Sequence, residues 1–352
     1  MTVTMREVAL VARVSPKTVS NVVNNHPNVH PVTRARVQQA IAELGYRPNH
    51  SARGLRSGRT GLIGLAVPEM RQAYFAELAD AVIAAASKRN LSVIVGQAGG
   101  DRTREVEILT NGLRQTDGLL FSPERLGTED RDLLDYVDFP LVMLGERIFG
   151  GPTDHVTMHN VSASRAAVGH LIELGRRRIA VVGAHPDNRT GQLRPSDLRV
   201  QGYREALVAA DIPHDRRLER TVAPWHPQNG ADATRQLLES GIHFDAIFAL
   251  NDALALGVLR ALGEAGRVVP DDVAVIGFDN ITTGRFTVPS LSSVDPGRDE
   301  IAETAVRMLV ERIEWGSATW RPPRLHKAGF HIVERESTGG TAQLEAAETR
   351  TG

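Results

Sequence analysis

Beyond residue 60, short apolar segments alternate along the chain with longer amphipathic segments. The apolar segments have the length of strands and contain few polar residues, which is typical of parallel strands buried on both faces of a sheet. The segments predicted to be strands are Leu62–Val67, Ser92–Gln97, Gly118–Phe121, Leu141–Leu144, Ile179–Val182, Ala246–Leu250 and Val273–Phe278. The predicted helices between them are Ala73–Arg89, Arg102–Gln115, Ser162–Leu174, Leu198–Ala209, Asn229–Leu238 and Ala253–Ala265. Because so many strand-helix units divide naturally between two sheets, we predict two doubly wound parallel sheets with a ligand cleft between them.

The first 60 residues are basic, whereas the rest of the chain is acidic. Residues 1–60 hold nine Lys or Arg against two Glu, a net charge of +7, and the other 292 residues hold 32 basic and 40 acidic side chains, a net charge of −8. A small basic segment on an acidic body is typical of a module that contacts a polyanion. We therefore expect the N-terminal segment to bind nucleic acid.

Three short helices are predicted in this basic segment. A first helical pattern covers Glu7–Ala12. Ser15 can cap a second helix, with Pro16 in its first turn, where a missing N–H costs nothing. A third helix, Thr33–Leu44, ends at Gly45. This arrangement predicts a helix-turn-helix unit, whose second helix enters the major groove of DNA.

The spacing of these residues resembles that of the LacI/GalR family of bacterial repressors. In the N-terminal segment the resemblance rests on Val8-Ala9, the run from Val14 to Asn24, Thr33-Arg34 and the run from Leu44 to Asn49. Further matching segments are His170–Ile179, Arg199–Tyr203, Asn251–Gly257, Gly277–Asn280, Leu291–Val294 and Val333–Thr338. The resemblance covers about residues 4–338. It implies an all-α three-helix helix-turn-helix head followed by an α/β two-lobed core like that of periplasmic sugar-binding proteins.

The resemblance implies DNA-binding roles for two groups of residues in the head. Those in base-reading positions are Pro16, Lys17 and Asn21, and those suited to phosphate contacts are Thr18, Ser20, Thr33 and Arg34. Lys17 can donate to O6 and N7 of guanine, and Asn21 either pairs with adenine or touches a phosphate. Thr18 is equally compatible with a buried position that holds the helix pair together. Arg13 stands in the turn where the family usually has Gly, so a requirement for positive φ there would strain the turn.

Residues 48–60 match the hinge of the same family. The residues implied to touch DNA in this hinge are Asn49, Ala52, Arg53, Leu55 and Arg56. The segment is too short to be helical by itself in water. It is therefore either a flexible basic linker or a helix that folds when two copies meet in the minor groove. In the second case we expect Leu55 to wedge into a base step and bend the duplex.

A further set of residues is implied to hold a small-molecule effector in the cleft. By family position these are Arg199, Asn251 and Asp279, with Trp225 stacked on the ligand, Tyr74 and Phe75 as a wall from the other lobe, and Phe286 as a weaker candidate. Hydrogen-bond donors, a carboxylate and a flat aromatic ring suit a sugar. Structural explanations stand beside this one: Asp279 could cap a loop, and Trp225 and Phe75 could fill the core.

The sequence departs from several relatives directly after the fourth predicted strand. Those relatives have an Asp where this chain has Gly145, which offers no side-chain acceptor. The next two residues, Glu146 and Arg147, could replace the missing group, but we expect a surface salt bridge from them.

The domain boundaries follow from these segments. We predict a helix-turn-helix domain at 1–47, a hinge at 48–60, an effector-binding core at 61–338 and a flexible tail at 339–352. The chain is expected to cross between the lobes near 161–164, 291–296 and 322–326. This assigns about 61–161 and 294–322 to the first lobe, and about 164–291 and 325–338 to the second. Because the tail has no apolar heptads for a tetramer-forming coil, we expect a homodimer.

Together these features predict a homodimeric, sugar-responsive transcriptional repressor that binds a pseudo-palindromic double-stranded DNA operator. Two alternatives stay open: a cytoplasmic sugar-binding protein without DNA function, and a regulator with a purine-type corepressor. An enzyme is not expected, because the sequence has no cysteine, no metal-binding His spacing and no nucleophile-elbow or dinucleotide-binding motif. No cofactor or metal is implied. Without a signal-peptide pattern or a long apolar run, we expect a cytoplasmic protein that does not contact membranes.

Overall fold

The chain divides into two units, Met1–Gly61 and Leu62–Gly352. A computed structural model describes residues 3–23, 26–46, 59–113, 115–148, 150–185, 194–316 and 321–340. Within these ranges, no helix is both long enough and apolar enough to cross a membrane.

In its described part, the N-terminal unit contains helices α1 (Met5–Val11), α2 (Pro16–Val23) and α3 (Pro31–Leu44). They bury a small shared core formed by Val8, Ala9, Ala12, Val19, Val22, Val37, Ala40 and Tyr46. The three predicted helices are thus confirmed. The first begins earlier than predicted because Thr4 caps it, and the third begins at a proline, whose missing N–H is tolerated in the first turn.

The turn between α1 and α2 contains a residue in the left-handed region. Arg13 has a φ of 50°, and the Val14 N–H that follows donates to the Ala9 carbonyl at 3.0 Å. The positive φ considered from the sequence is therefore present. An L-residue in this region costs about 1–2 kcal/mol, so the turn carries strain that a Gly would not.

Helix α1 begins with a reciprocal pair of hydrogen bonds between Thr4 and Glu7. The Glu7 N–H donates to the Thr4 hydroxyl at 3.4 Å, and the Thr4 N–H donates to the Glu7 carboxylate at 2.6 Å. We expect Thr4→Ala to weaken α1 by about 1 kcal/mol, because one capping acceptor is lost. Amide hydrogen exchange should then show about fivefold lower protection in α1 and unchanged protection in α3. Equal protection of α1 in both proteins would contradict this role.

The described part of the second unit contains two six-stranded sheets, which confirms the predicted pair of doubly wound sheets. The first has the strand order β2-β1-β3-β4-β5-β11, and all of its strands are parallel. Its strands are β1 (Leu62–Val67), β2 (Ser92–Gln97), β3 (Leu119–Phe121), β4 (Leu141–Leu144), β5 (Asp154–Thr157) and β11 (Leu325–Lys327). Helices α4 (Ala73–Ser87), α5 (Arg102–Asn111) and α10 (Arg298–Trp315) cover it.

The second sheet has the order β7-β6-β8-β9-β10-β12, in which only β12 is antiparallel to its neighbour. Its strands are β6 (Ile179–Ala184), β7 (Glu219–Thr221), β8 (Ala246–Ala249), β9 (Ala274–Phe278), β10 (Ser292–Asp295) and β12 (His331–Val333). Helices α6 (Asn160–Glu173), α7 (Pro195–Ala209), α8 (Pro227–Glu239) and α9 (Asp252–Glu264) pack on its two faces. Parallel sheets of this kind present the carboxyl ends of their strands at one edge, where ligands bind.

In the described residues, the chain passes between the two sheets at 158–159, 296–297 and 328–330. These positions correct the expected crossings near 161–164, 291–296 and 322–326. Strand β10 pairs with β9, so residues 294 and 295 belong to the second lobe. Strand β11 pairs with β5, so residues 325–327 belong to the first lobe. Both strands are short and partly polar, and their lobe is set by pairing rather than by an apolar pattern.

Candidate functional site

Helix α2 presents its polar face to solvent. The Ser15 hydroxyl accepts the Thr18 N–H at 3.1 Å and lies 2.9 Å from the Thr18 hydroxyl, so Ser15 caps the helix as predicted. Val19 and Val22 are buried on the inner side, whereas Lys17 is exposed. Lys17 is thus a long cation on the outer face of a capped helix, as the predicted contact with a base edge requires.

The other predicted DNA-binding residues of the head lie around this face. Pro16 is exposed, and Thr18, Ser20, Asn21, Thr33 and Arg34 are half-buried. The Arg34 guanidinium donates to the His26 carbonyl at 2.6 Å, so it also orders the loop before α3. Thr18 combines a half-buried position with the hydroxyl contact to Ser15. The hinge residues Asn49, Ala52, Arg53, Leu55 and Arg56 lie outside the described residues.

A cleft of about 640 Å³ opens between the two lobes of the core. Side chains from both lobes line it, and six of the predicted effector-binding residues are among them: Tyr74, Phe75, Arg199, Trp225, Asn251 and Asp279. Phe286 does not line the cleft, and its side chain is 73% exposed. The cleft volume is typical of small-molecule sites.

Arg199 is held in the cleft by contacts on several sides. It is buried, and its Nε donates to Oδ1 of Asn160 at 2.8 Å. Its guanidinium also donates to the Leu250 carbonyl. The same group lies 3.6 Å from the Asp279 carboxylate and 3.6 Å from the ring centroid of Phe278. These contacts fix the guanidinium plane before any ligand arrives.

Asp279 follows β9 in an unusual backbone conformation. Its φ is 111°, and that of Asn280 is 47°. Conformations of this kind cost about 1–3 kcal/mol and are concentrated at functional sites. Burial raises the pKa of Asp279 to about 7, although Arg199 and Arg298 oppose the shift. The carboxylate is thus a buried acceptor held beside a buried donor.

The remaining predicted cleft residues make structural contacts and also line the cleft. Asn251 caps α9, since its Oδ1 accepts the Leu254 N–H at 2.9 Å. The Trp225 indole N–H donates to the Gly183 carbonyl at 2.9 Å, which fixes the ring at the cleft wall. The rings of Tyr74 and Phe75 meet edge to face, with centroids 5.3 Å apart. Phe75 also packs against the core of the first lobe.

The expectation that Glu146 and Arg147 form a surface salt bridge is wrong. Both residues are buried and line the cleft. The Glu146 carboxylate accepts the Thr157 hydroxyl at 2.7 Å and the side-chain amide of Asn160. Asn160 in turn accepts from Arg199, so Glu146 belongs to the same buried network. No periodic pattern in the sequence indicates this burial, because these residues follow a strand in a loop.

Two groups of contacts join the lobes beside the cleft. His226, at the start of α8, lies 2.9 Å from the carboxylate of Glu69. Glu77 accepts the Thr282 N–H at 2.8 Å and pairs with Arg298 at 3.0 Å. Arg298 also donates to the Asp279 carbonyl at 3.2 Å. The lobe arrangement is therefore tied to the residues that line the cleft.

Comparisons with known proteins agree with this architecture. The model of the bacterial regulatory proteins of the lacI family matches residues 4–49, and that of the periplasmic binding protein-like domain matches residues 168–338. The chain is 35% identical to the HTH-type transcriptional regulator CelR of Thermobifida fusca over 344 residues, which are 95% of this chain and 98% of that protein. It is similar to the solved CelR-cellobiose complex, with 32% identity, a TM-score of 0.69, and coverage of 95% of this chain and 99% of that chain. It is also similar to the lac repressor dimer bound to operator and the anti-inducer ONPF, with 26% identity, a TM-score of 0.76, and coverage of 96% and 99%.

Proposed function

Because the chain belongs to the LacI family of bacterial regulatory proteins, we propose that it is a homodimeric repressor of carbohydrate-utilisation genes whose operator affinity is controlled by a sugar. As a member of this family it is a DNA-binding transcriptional regulator and not an enzyme. The observation that carries the sugar proposal is the cleft, where Arg199, Asp279 and Asn251 surround a space walled by Trp225. We also propose that it acts in the cytoplasm, where its operator lies.

The head supplies the DNA contacts in this proposal. Lys17 reads guanine, and Pro16 and Asn21 complete the base-reading surface. Thr18, Ser20, Thr33 and Arg34 contact phosphates and set the orientation of the head. The segment 48–60 acts as the hinge, in which Asn49, Ala52, Arg53, Leu55 and Arg56 meet the minor groove.

The cleft supplies the sugar contacts. Arg199 and Asn251 donate to ring and hydroxyl oxygens, and Asp279 accepts from hydroxyls. The fixed ring of Trp225 covers the apolar C–H face of the sugar, and Tyr74 and Phe75 close the opposite wall. The solved complex of CelR with cellobiose supports a sugar as the effector class.

The two activities are coupled through the lobes. A sugar that contacts both lobes favours one lobe arrangement over another, because its affinity differs between them. The contacts Glu69–His226 and Glu77–Thr282 cross between the lobes, so a rotation of one lobe against the other would break or shift them. We propose that this rotation, in a dimer, decides whether the paired hinge segments fold on DNA.

A selection experiment tests this function. The full-length protein is used to enrich sequences from a random DNA pool at one stated salt concentration, since phosphate contacts depend steeply on salt. We expect a pseudo-palindromic sequence, and at least a tenfold change in its affinity with one member of a panel of mono- and oligosaccharides. Failure to enrich any sequence would favour a sugar-binding protein without DNA function. A response only to hypoxanthine or guanine would favour a purine-type corepressor.

A further inference from the structure

Three buried polar atoms in the cleft have no hydrogen-bond partner among the described residues. They are Nη1 of Arg147, Nδ1 of His185 and Oγ of Ser196. The side chain of Arg147 is only 8% exposed, and that of Ser196 only 2%. A buried polar group without a partner costs about 1–3 kcal/mol, and such groups in a native protein require an explanation. Their common position in a ligand cleft indicates that a ligand supplies the partners.

Arg147 and His185 have charged neighbours in common, Arg194 and Glu124. Burial lowers the pKa of Arg147, and the charges that act on it are led by Glu105, Glu124 and Arg194. Burial also lowers the pKa of His185, where Arg194, Asp197 and Glu124 are the charged neighbours.

The inner residues have different neighbours. Asp279 interacts with Arg199, Arg298, Glu77 and Asp295. Glu146 acts on both Arg147 and Arg199. The residues with unpartnered atoms therefore adjoin the inner residues at Glu146 and at Trp225, whose ring centroid lies 5.8 Å from that of His185. We call Arg147, His185 and Ser196 together the outer subsite.

Both lobes contribute to the outer subsite. Arg147 follows β4 of the first lobe, whereas His185 follows β6 and Ser196 lies in the first turn of α7, both in the second lobe. A ligand group placed here would bridge the lobes independently of the inner contacts. Such a group would add to the preference for one lobe arrangement.

The size of the cleft also exceeds the needs of one sugar ring. One water molecule takes about 30 Å³ in the liquid. If each of the roughly twelve non-hydrogen atoms of a hexose is given this generous volume, the hexose fills little more than half of the cleft. The cleft measures about 640 Å³. A second ring would occupy the remainder and reach the outer subsite.

The charges of the lining residues favour a neutral ligand. Four arginines line the cleft, Arg125, Arg147, Arg194 and Arg199, and they are matched by four carboxylates, Glu69, Glu124, Glu146 and Asp279. A sugar phosphate or sugar acid would meet no excess of positive charge. Hydroxyl and ring oxygens can instead accept from Arg147, and hydroxyl groups can pair with His185 and Ser196.

We propose that the outer subsite binds the second ring of a neutral disaccharide, and that Arg147 is the residue that distinguishes a disaccharide from a single hexose. This inference rests on the proposed function, because it assumes a sugar effector. The inner residues hold one ring, and the outer subsite holds the other across the two lobes.

Calorimetric titration of the full-length protein tests the proposal. The probes are glucose and galactose, and the disaccharides cellobiose, maltose, lactose and melibiose. We expect at least one disaccharide to bind tenfold or more tightly than either monosaccharide. Arg147→Met and Ser196→Ala should each reduce this ratio of affinities at least fivefold. Arg131→Met, the same change at an exposed position outside the cleft, should leave the ratio as in the native protein.

The outcomes separate the outer subsite from the sugar function itself. The assignment of the outer subsite is wrong if monosaccharides bind as tightly as every disaccharide, or if both variants keep the native ratio of affinities. In either case the sugar-responsive function stands. If no sugar binds, the proposed effector class is wrong, and the outer subsite fails with it. Should Arg147→Met not fold, Ser196→Ala decides alone, because it removes only one hydroxyl.

Discussion

Replacing Lys17 by Ala is expected to lower affinity for the selected operator by roughly 5- to 150-fold at each half-site, which corresponds to the range of about 1–3 kcal/mol for a specific base contact. Lys17 is exposed on a helix whose other face is buried by Val19 and Val22. The cap by Ser15 fixes the start of the helix that carries Lys17.

Fluorescence anisotropy on cognate and unrelated duplexes, at one salt concentration, measures the effect. The loss should be much larger for the cognate duplex, which would lower the specificity ratio. Lys88→Ala serves as the control. It removes the same positive charge from an exposed ion pair with Glu303, in the effector-binding core and away from the head. An equal loss on both duplexes, with a shallower salt dependence, would mean that Lys17 contacts phosphate instead.

Asp279→Asn is expected to weaken sugar binding by roughly 100-fold, at the upper end of the 1.5–3 kcal/mol for a hydrogen bond to a charged group. The change keeps the size of the side chain but removes its charge beside Arg199, which is 3.6 Å away. Because burial raises the pKa of Asp279, its ionised form is unfavourable in the folded protein, and the neutral amide should leave the unfolding temperature at neutral pH unchanged or higher. Calorimetric titration and thermal unfolding measure the two effects. Asp271→Asn, an exposed aspartate of the same lobe, is the matched control.

The pH dependence gives a second readout for Asp279. Burial raises its pKa to about 7, so the carboxyl is largely protonated below this pH and ionised above it. A sugar hydroxyl donates to the ionised form, and native sugar affinity should therefore fall as pH drops below 7, by up to tenfold per unit. The amide introduced by Asp279→Asn cannot titrate, so this variant should show a flat profile over roughly pH 5.5–8. A native protein with a flat profile would contradict an acceptor role for Asp279.

The strands could be predicted from the sequence where a run of apolar residues marks a buried strand. Strands β1 and β4 have the predicted ends because every position in them is apolar or glycine and nearly all are buried. Strand β5 was missed, since it begins at Asp154, a residue type that is typical of the surface. In the structure Asp154 is 0% exposed and is paired with Arg312 and Arg324, which come from distant parts of the chain. A buried ion pair of this kind leaves no local periodicity.

The cleft residues show the same division. Arg199, Asn251 and Asp279 occupy recognisable positions, either directly after a strand or within a helix. The resemblance to a family located them. Arg147 was considered but was expected in a surface salt bridge, and Ser196 was not considered at all, because the sequence does not show that either residue is buried. Neither residue type is distinctive in a loop or at a helix start. Only the packed structure reveals that both residues line the cleft and carry a buried polar atom without a partner among the described residues.

The three passages between the sheets have a consequence for the order in which the protein is made. The first lobe needs α10 and β11 to complete its core and sheet, yet both follow most of the second lobe in the sequence. The second lobe needs β12, which comes only a few residues later. All the described helices of the head therefore emerge early during synthesis. The two lobes, in contrast, are completed almost together late in synthesis, when β11 and β12 emerge. Ribosomal stalling before β11 would leave a folded DNA-reading module attached to two unfinished, aggregation-prone lobes.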